Sequence, residues 1–185
     1  MFVNEFNIFA VSVYKGFKNM EINSIETFLD YYEKVRKRTS RVVNCIPPDK
    51  IEWTYREGRF TLGDLVRHIA ATERFMFTEN ALGRPSVYPG HGRELADGYE
   101  NVLAFFNEKH RESIELLRNL SPDDLKKKCL TPGDAPITVW KWLRAMVEHE
   151  NHHRGQIYLY LAMLEVPTSP MYGLTSEEVF EKSKG

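Results

Sequence analysis

Four stretches of this chain repeat apolar residues at helical spacing, and breaks rich in proline or glycine part them. This pattern restricts the fold more than composition does, because an apolar stripe on a helix has to be buried against another element. Ser24 opens the first stretch as an N-cap. Ile25, Phe28, Leu29, Tyr32, Val35, Val42, Val43 and Ile46 follow as a broken stripe, which Pro47-Pro48 ends. Thr61-Leu62-Gly63-Asp64 starts the second stretch like a capping box with a short acid. Leu65, His68, Ile69, Thr72, Phe75 and Met76 then share one side, up to Gly83-Arg84-Pro85. A turn-rich segment, Gly83 to Gly92, leads to a third stretch from about Glu94 to Leu120, in which Gly98 is a weak point. The fourth runs from about Thr138 to Leu164, before Pro167. No stretch makes a convincing strand. The expected fold is all-α, a four-helix bundle.

A length of 185 residues suits one domain with a sizeable core. The net charge of −1 offers no electrostatic case for nucleic acid or an anionic membrane as partner. No apolar run reaches membrane-spanning length. The start, Met1-Phe2-Val3-Asn4-Glu5-Phe6, lacks the basic residues and cleavage site of a secretory signal. Cys45 and Cys129 give no disulfide framework, so a reducing, cytoplasmic location is the default. Residues 1–19 carry aromatic and β-branched residues without a sustained period and form an expected N-terminal arm or extension. The bundle domain is expected over 20–185, with Met20 as an alternative start.

The chemistry concentrates on histidines. His149 and His153 stand four residues apart, so both lie on one helix face, one turn above the other. With His149 at zero, His153 falls at about 40°, Trp142 and Tyr160 at about 20° and Met146 at about 60°. The pair therefore lies within the apolar stripe, where Trp142 and Tyr160 could wall a pocket. On the second helix, Leu65, Thr72 and Phe75 bracket His68 within about 60°, so His68 is inward too. A hydrogen-bonded core residue is the ordinary reading of a lone inward histidine. Three on two helices shift the balance, since each buried imidazole needs a partner and one shared cation would serve all three. Three protein ligands leave coordination positions open, as in a reactive site.

The remaining histidines weigh less. His152 falls near −60°, at the stripe's margin, as a surface or supporting residue. His110, between Lys109 and Arg111, is expected solvated or half-buried. His91, in Pro89-Gly90-His91-Gly92, is a loop residue that could serve the mouth of a site. Residues 149–153 also match HExxH literally, which would make Glu150 the base of a zinc protease. Glu150 points about 100° away from His149, and no histidine follows His153. Only Glu165, Glu177 and Glu178 could supply a third ligand, so this reading ranks last. Lys126-Lys127-Lys128 reads as a solvated charge run.

Two segments carry a family resemblance. Residues 61–70, Thr61-Leu62-Gly63-Asp64-Leu65-Val66-Arg67-His68-Ile69-Ala70, and residues 149–157, from His149 through His153-Arg154-Gly155-Gln156 to Ile157, resemble the DinB/YfiT superfamily. The likeness covers the chain from about Met20 to Leu164. It implies a four-helix bundle with His68, His149 and His153 as ligands of a divalent metal, nickel or zinc. It further implies a bacterial, cytoplasmic, often dimeric protein in a family named for induction by DNA damage. Some members transfer or isomerise small molecules with thiols such as bacillithiol or mycothiol.

A cation held by three neutral imidazoles keeps its charge and can lower the pKa of water or hold a thiol as thiolate. The leading expectation is thus a metal-dependent, thiol-dependent S-transferase acting on a small molecule, with no protein cysteine needed at the centre. Hydrolysis is the runner-up reaction. A non-catalytic, metal-binding stress-response bundle is the alternative outside catalysis.

Overall fold

The computed structural model describes residues 21–184; the arm expected over 1–19 lies outside them. Helix α1 (Ile25–Val43) starts where the Ser24 hydroxyl accepts the Thr27 amide proton. Its stripe runs on past the helix, since Ile46 is also buried. Helix α2 (Leu62–Thr72) opens on a complete capping box: Thr61 caps the Asp64 amide, and the Asp64 carboxylate accepts from the Thr61 amide. The helix continues as a π-helical stretch, Glu73–Thr78, and a last turn, Glu79–Ala81. Helices α3 (Tyr99–Leu117) and α4 (Val139–Met163) complete the bundle.

Three features depart from the sequence expectation. Helix α3 begins at Tyr99, five residues later than expected. Gly98 is its N-cap and has φ +81, a left-handed conformation that ends the preceding turn and that few other residues adopt. A small hairpin, β1 (Lys128–Leu130) and β2 (Pro136–Thr138), precedes α4, with Lys128 opposite Thr138 and Leu130 opposite Pro136. Strands this short leave no alternation to read in sequence; only Cys129 turns into the core from β1. After Pro167 comes a short helix, α5 (Ser176–Lys182), capped by Thr175 and Glu178 and with no buried residue. No helix among the described residues is long and apolar enough to cross a membrane.

Two apolar cores fill the bundle. One gathers Phe28, Tyr32, Phe77, Leu117, Leu143 and Met146. The other gathers Val43, Leu62, Ile69, Phe106, Ile157 and Leu161. Between them each main helix contributes buried polar groups: Arg36 and Thr39 from α1, Glu73 from the π stretch, His110 from α3, Glu150 and Arg154 from α4. The Arg36 guanidinium pairs with both Glu73 and Glu150. Glu150 also accepts from the Thr39 hydroxyl at 2.5 Å, and His110 Nδ1 lies 2.7 Å from Glu73. The two carboxylates hold Arg36 firmly charged, against the opposing effect of its burial. His110 is therefore buried in this layer, deeper than the solvated or half-buried place expected from its position between Lys109 and Arg111. Its edge packs on the Tyr32 ring, so tertiary contact outweighs its charged sequence neighbours.

Candidate metal centre

Helix α2 brings His68, and α4 brings His149 and His153, to one point. His149 Nε2 lies 3.1 Å from His68 Nε2 and 3.1 Å from His153 Nε2. One ligating nitrogen from each ring lies within 4.8 Å of the other two. Bonds of 2.0–2.1 Å to a tetrahedral ion place ligand nitrogens roughly 3.3 Å apart, so this spacing suits one cation.

The outer nitrogens show which way the rings are protonated. His153 Nδ1 donates to the Gln156 side-chain oxygen at 2.7 Å, because an amide oxygen only accepts. His153 Nε2 therefore presents a lone pair to the centre. The Thr72 hydroxyl spends its one proton on the His68 carbonyl at 2.7 Å, so its lone pair faces His149 Nδ1, 3.5 Å away. His68 Nδ1 meets the Tyr88 hydroxyl at 2.7 Å. At the centre, His149 Nε2 has two nitrogen neighbours, and one proton cannot lie along both contacts. One proton on His149 Nε2 reaches both neighbours only as a shared, bent bond, whereas a cation at the common point would meet the lone pairs of all three.

The rings are half-buried and electrically suited to that task. Burial, reinforced by the neighbouring imidazoles, lowers His68 to about 4 and His149 to about 3. Burial also lowers His153, against the opposing pull of its bond to Gln156. At neutral pH all three are uncharged, the form in which imidazole binds a metal.

Aromatic rings enclose part of the cluster. Phe77 packs on His149 with ring centres 5.5 Å apart and is itself backed by Trp142. Phe60 meets the edge of His68 and lies 4.1 Å, centre to centre, from His91. Tyr160, expected on the histidine face, instead packs against Trp53 and Tyr55. The loop that could serve the mouth of a site packs beside the cluster: His91 Nδ1 lies 3.1 Å from the Tyr88 hydroxyl, and its ring centre lies 5.8 Å from that of His68. Arg67, beside His68 in sequence, is fully buried and donates to the carbonyls of His91 and Ala96. It also pairs with Glu52 and Asp64. Gly63 makes room for that pairing, since a Cβ there would lie 2.9 Å from Glu52 and 3.0 Å from Arg67.

The other candidates lie elsewhere. His152 is exposed, and only the edge of its ring approaches His153. Glu150 is 1% exposed and committed to Arg36 and Thr39, so it cannot serve as the base of a zinc protease. Cys129 lies in the first core, and Cys45 donates to the Arg41 carbonyl. Sequence reasoning missed Tyr88 and Gln156 as partners of the ligand rings, and the Arg36–Glu73–Glu150 layer. A signal for that layer was present: Arg36 stands one turn after Tyr32, and Glu73 one turn after Ile69, which puts charges at inward registers.

The family model of the DinB superfamily matches residues 31–157, and the chain belongs to that superfamily. A Bacillus pumilus (strain SAFR-032) protein named "Putative metal-dependent hydrolase" is 22% identical over 161 residues, spanning 80% of this chain and 91% of that one. Among solved structures, a DinB-like protein from Bacillus cereus ATCC 10987 matches with TM-score 0.68 at 17% identity, covering 80% of this chain and 97% of that one. The mycothiol-dependent maleylpyruvate isomerase matches with TM-score 0.51 at 19% identity, covering 72% of this chain and 60% of that one. These structural likenesses establish a shared bundle fold.

Proposed function

We propose that this protein is a divalent-metal-dependent enzyme acting on a small molecule, with His68, His149 and His153 as the metal ligands. One observation carries the reading: three inner imidazole nitrogens gather at one point, with His149 Nε2 3.1 Å from each of the other two. Imidazoles suit zinc and nickel alike. When bound, such an ion supplies Lewis acidity and lowers the pKa of a nucleophile reaching its open positions. The chain's own part is to keep three rings neutral and aimed. Gln156 and Tyr88 hold two of them from outside, while Phe60 and Phe77 shield the cluster from water on their sides.

Hydrolysis is the leading reaction, supported by the name of the Bacillus pumilus relative. Thiol-dependent transfer, first in the sequence-based order, is the second reading, supported by the fold likeness to a mycothiol-dependent isomerase. Elemental analysis of native protein beside a His68→Ala/His149→Ala/His153→Ala variant tests the metal, which should be present in the first and lost in the second. Equal metal content in both would end the proposal. The loaded protein, given activated esters and amides or an electrophile plus bacillithiol, then separates the reactions. Ester or amide cleavage without thiol loss supports hydrolysis; consumption of the thiol replaces it with transfer.

A further inference from the structure

The three ligand rings are not held in the same way. Gln156 holds the His153 ring from less than a turn away on α4, and the Thr72 hydroxyl faces the His149 ring from α2. The outer nitrogen of His68 instead meets a residue of the loop after α2: Tyr88, at 2.7 Å. That loop is tied down on several sides. The Val87 amide donates to the Phe75 carbonyl at 2.9 Å. The buried Arg67 donates to the His91 carbonyl at 2.8 Å and to the Ala96 carbonyl at 2.9 Å. The His91 ring lies over Phe60, whose edge in turn meets His68. Adjacent residues of α2 thus grip the loop from two directions: Arg67 by its backbone, His68 through a side chain.

The phenol has one proton and two nitrogen neighbours, which imposes an order. For His68 to offer the lone pair of Nε2 to the centre, its proton must sit on Nδ1 and be donated to the Tyr88 oxygen. The Tyr88 proton is then donated to His91 Nδ1, 3.1 Å away.

We propose that Tyr88, seated by His91 and by the Arg67 clamp, is the positioning residue that orients His68 in the metal centre, so that the loop Val87–Arg93 helps set how tightly the metal is held. This rests on the metal reading above. Groups that orient a metal-bound histidine from outside are worth 10–100-fold in affinity. Tyr88→Phe keeps the ring and deletes only the hydroxyl. His91→Ala removes the terminal acceptor of the same chain of hydrogen bonds.

The test is zinc affinity by chelator competition on the full-length protein, its Tyr88→Phe and His91→Ala variants and the double variant. The visible spectrum of each cobalt-loaded form and the melting temperature of each metal-free form accompany it. Tyr88→Phe should weaken zinc about 10–100-fold and change the cobalt bands, with the metal-free melting temperature unmoved. His91→Ala should weaken zinc less, and the double variant should be no weaker than Tyr88→Phe alone, because the two act in series. Wild-type affinity in Tyr88→Phe, with an unaltered cobalt spectrum, overturns the inference while leaving the metal reading intact. Losses in the two single variants that simply add would also overturn it, as independent packing effects. Should Tyr88→Phe fail to fold, His91→Ala decides alone: wild-type affinity there counts against the chain. If the wild-type protein holds no zinc or cobalt, the metal reading fails first and takes this inference with it.

Discussion

Helix α4 turns two polar clusters to different sides, with Glu150 about 100° around the helix from His149, and they solve the problem of buried polarity differently. On one side His149 and His153 join His68 in a neutral, half-buried group whose inner nitrogens gather at one point. On the other, Glu150 joins Arg36, Glu73 and Thr39 in a charged group almost wholly removed from water. The charged layer pairs its charges internally, two carboxylates on one guanidinium, although Arg36 Nε and Nη1 and His110 Nε2 are buried without a hydrogen-bond partner among the described residues. The histidine cluster is half-buried, with Phe60 and Phe77 covering part of it. Burial alone therefore does not mark a functional site. What sets the histidine cluster apart is ligating nitrogens gathered at one point on half-buried rings.

The comparison breaks most readily at the charged layer. Glu73→Ala should cost about 3–5 kcal/mol in urea unfolding, because Arg36 stays buried with one partner gone. A loss under about 1 kcal/mol would show that water enters and that the layer is not sealed. Next comes His149→Ala, which removes the central ligand. Zinc affinity, read by competition, should fall by more than the roughly 100-fold ceiling for outer partners, with no loss of metal-free stability. A variant that unfolds instead would make the histidines structural, like their charged neighbours. Gln156→Leu sharpens the contrast further: the proton on His153 Nδ1 loses its acceptor, and affinity should drop about tenfold or more while the melting temperature barely moves. Smallest of all is His152→Ala. That ring is exposed, so stability should change by no more than about 0.5 kcal/mol and zinc affinity not at all. Any substantial loss of zinc would make it a fourth ligand.

Much of this arrangement was legible from local pattern. The stripes of α1, α2 and α4 located the helices, and the 100° step put His149 and His153 on one face with Glu150 turned away. Where reading failed, a single residue or a distant contact decided. Gly98 ended the stretch before α3 through a backbone conformation that the apolar spacing of Leu95, Tyr99 and Val102 does not encode. His110 looked solvated or half-buried beside two cations, yet it pairs with Glu73, 37 residues away, in the interior. Tyr88 sits in a loop without periodicity, so no spacing rule could connect it to His68.

What the sequence determined by itself is which side chains share a face of each helix, because helical geometry depends only on local spacing and on caps such as Ser24 and Thr61. That two helices present their histidines to the same point was decided by tertiary packing. So was the capture of one imidazole by a loop tyrosine and the burial of Arg36 between two carboxylates. These contacts join residues 20 to 114 positions apart. Their geometry exists only once the apolar stripes have packed and brought the helices to contact distance.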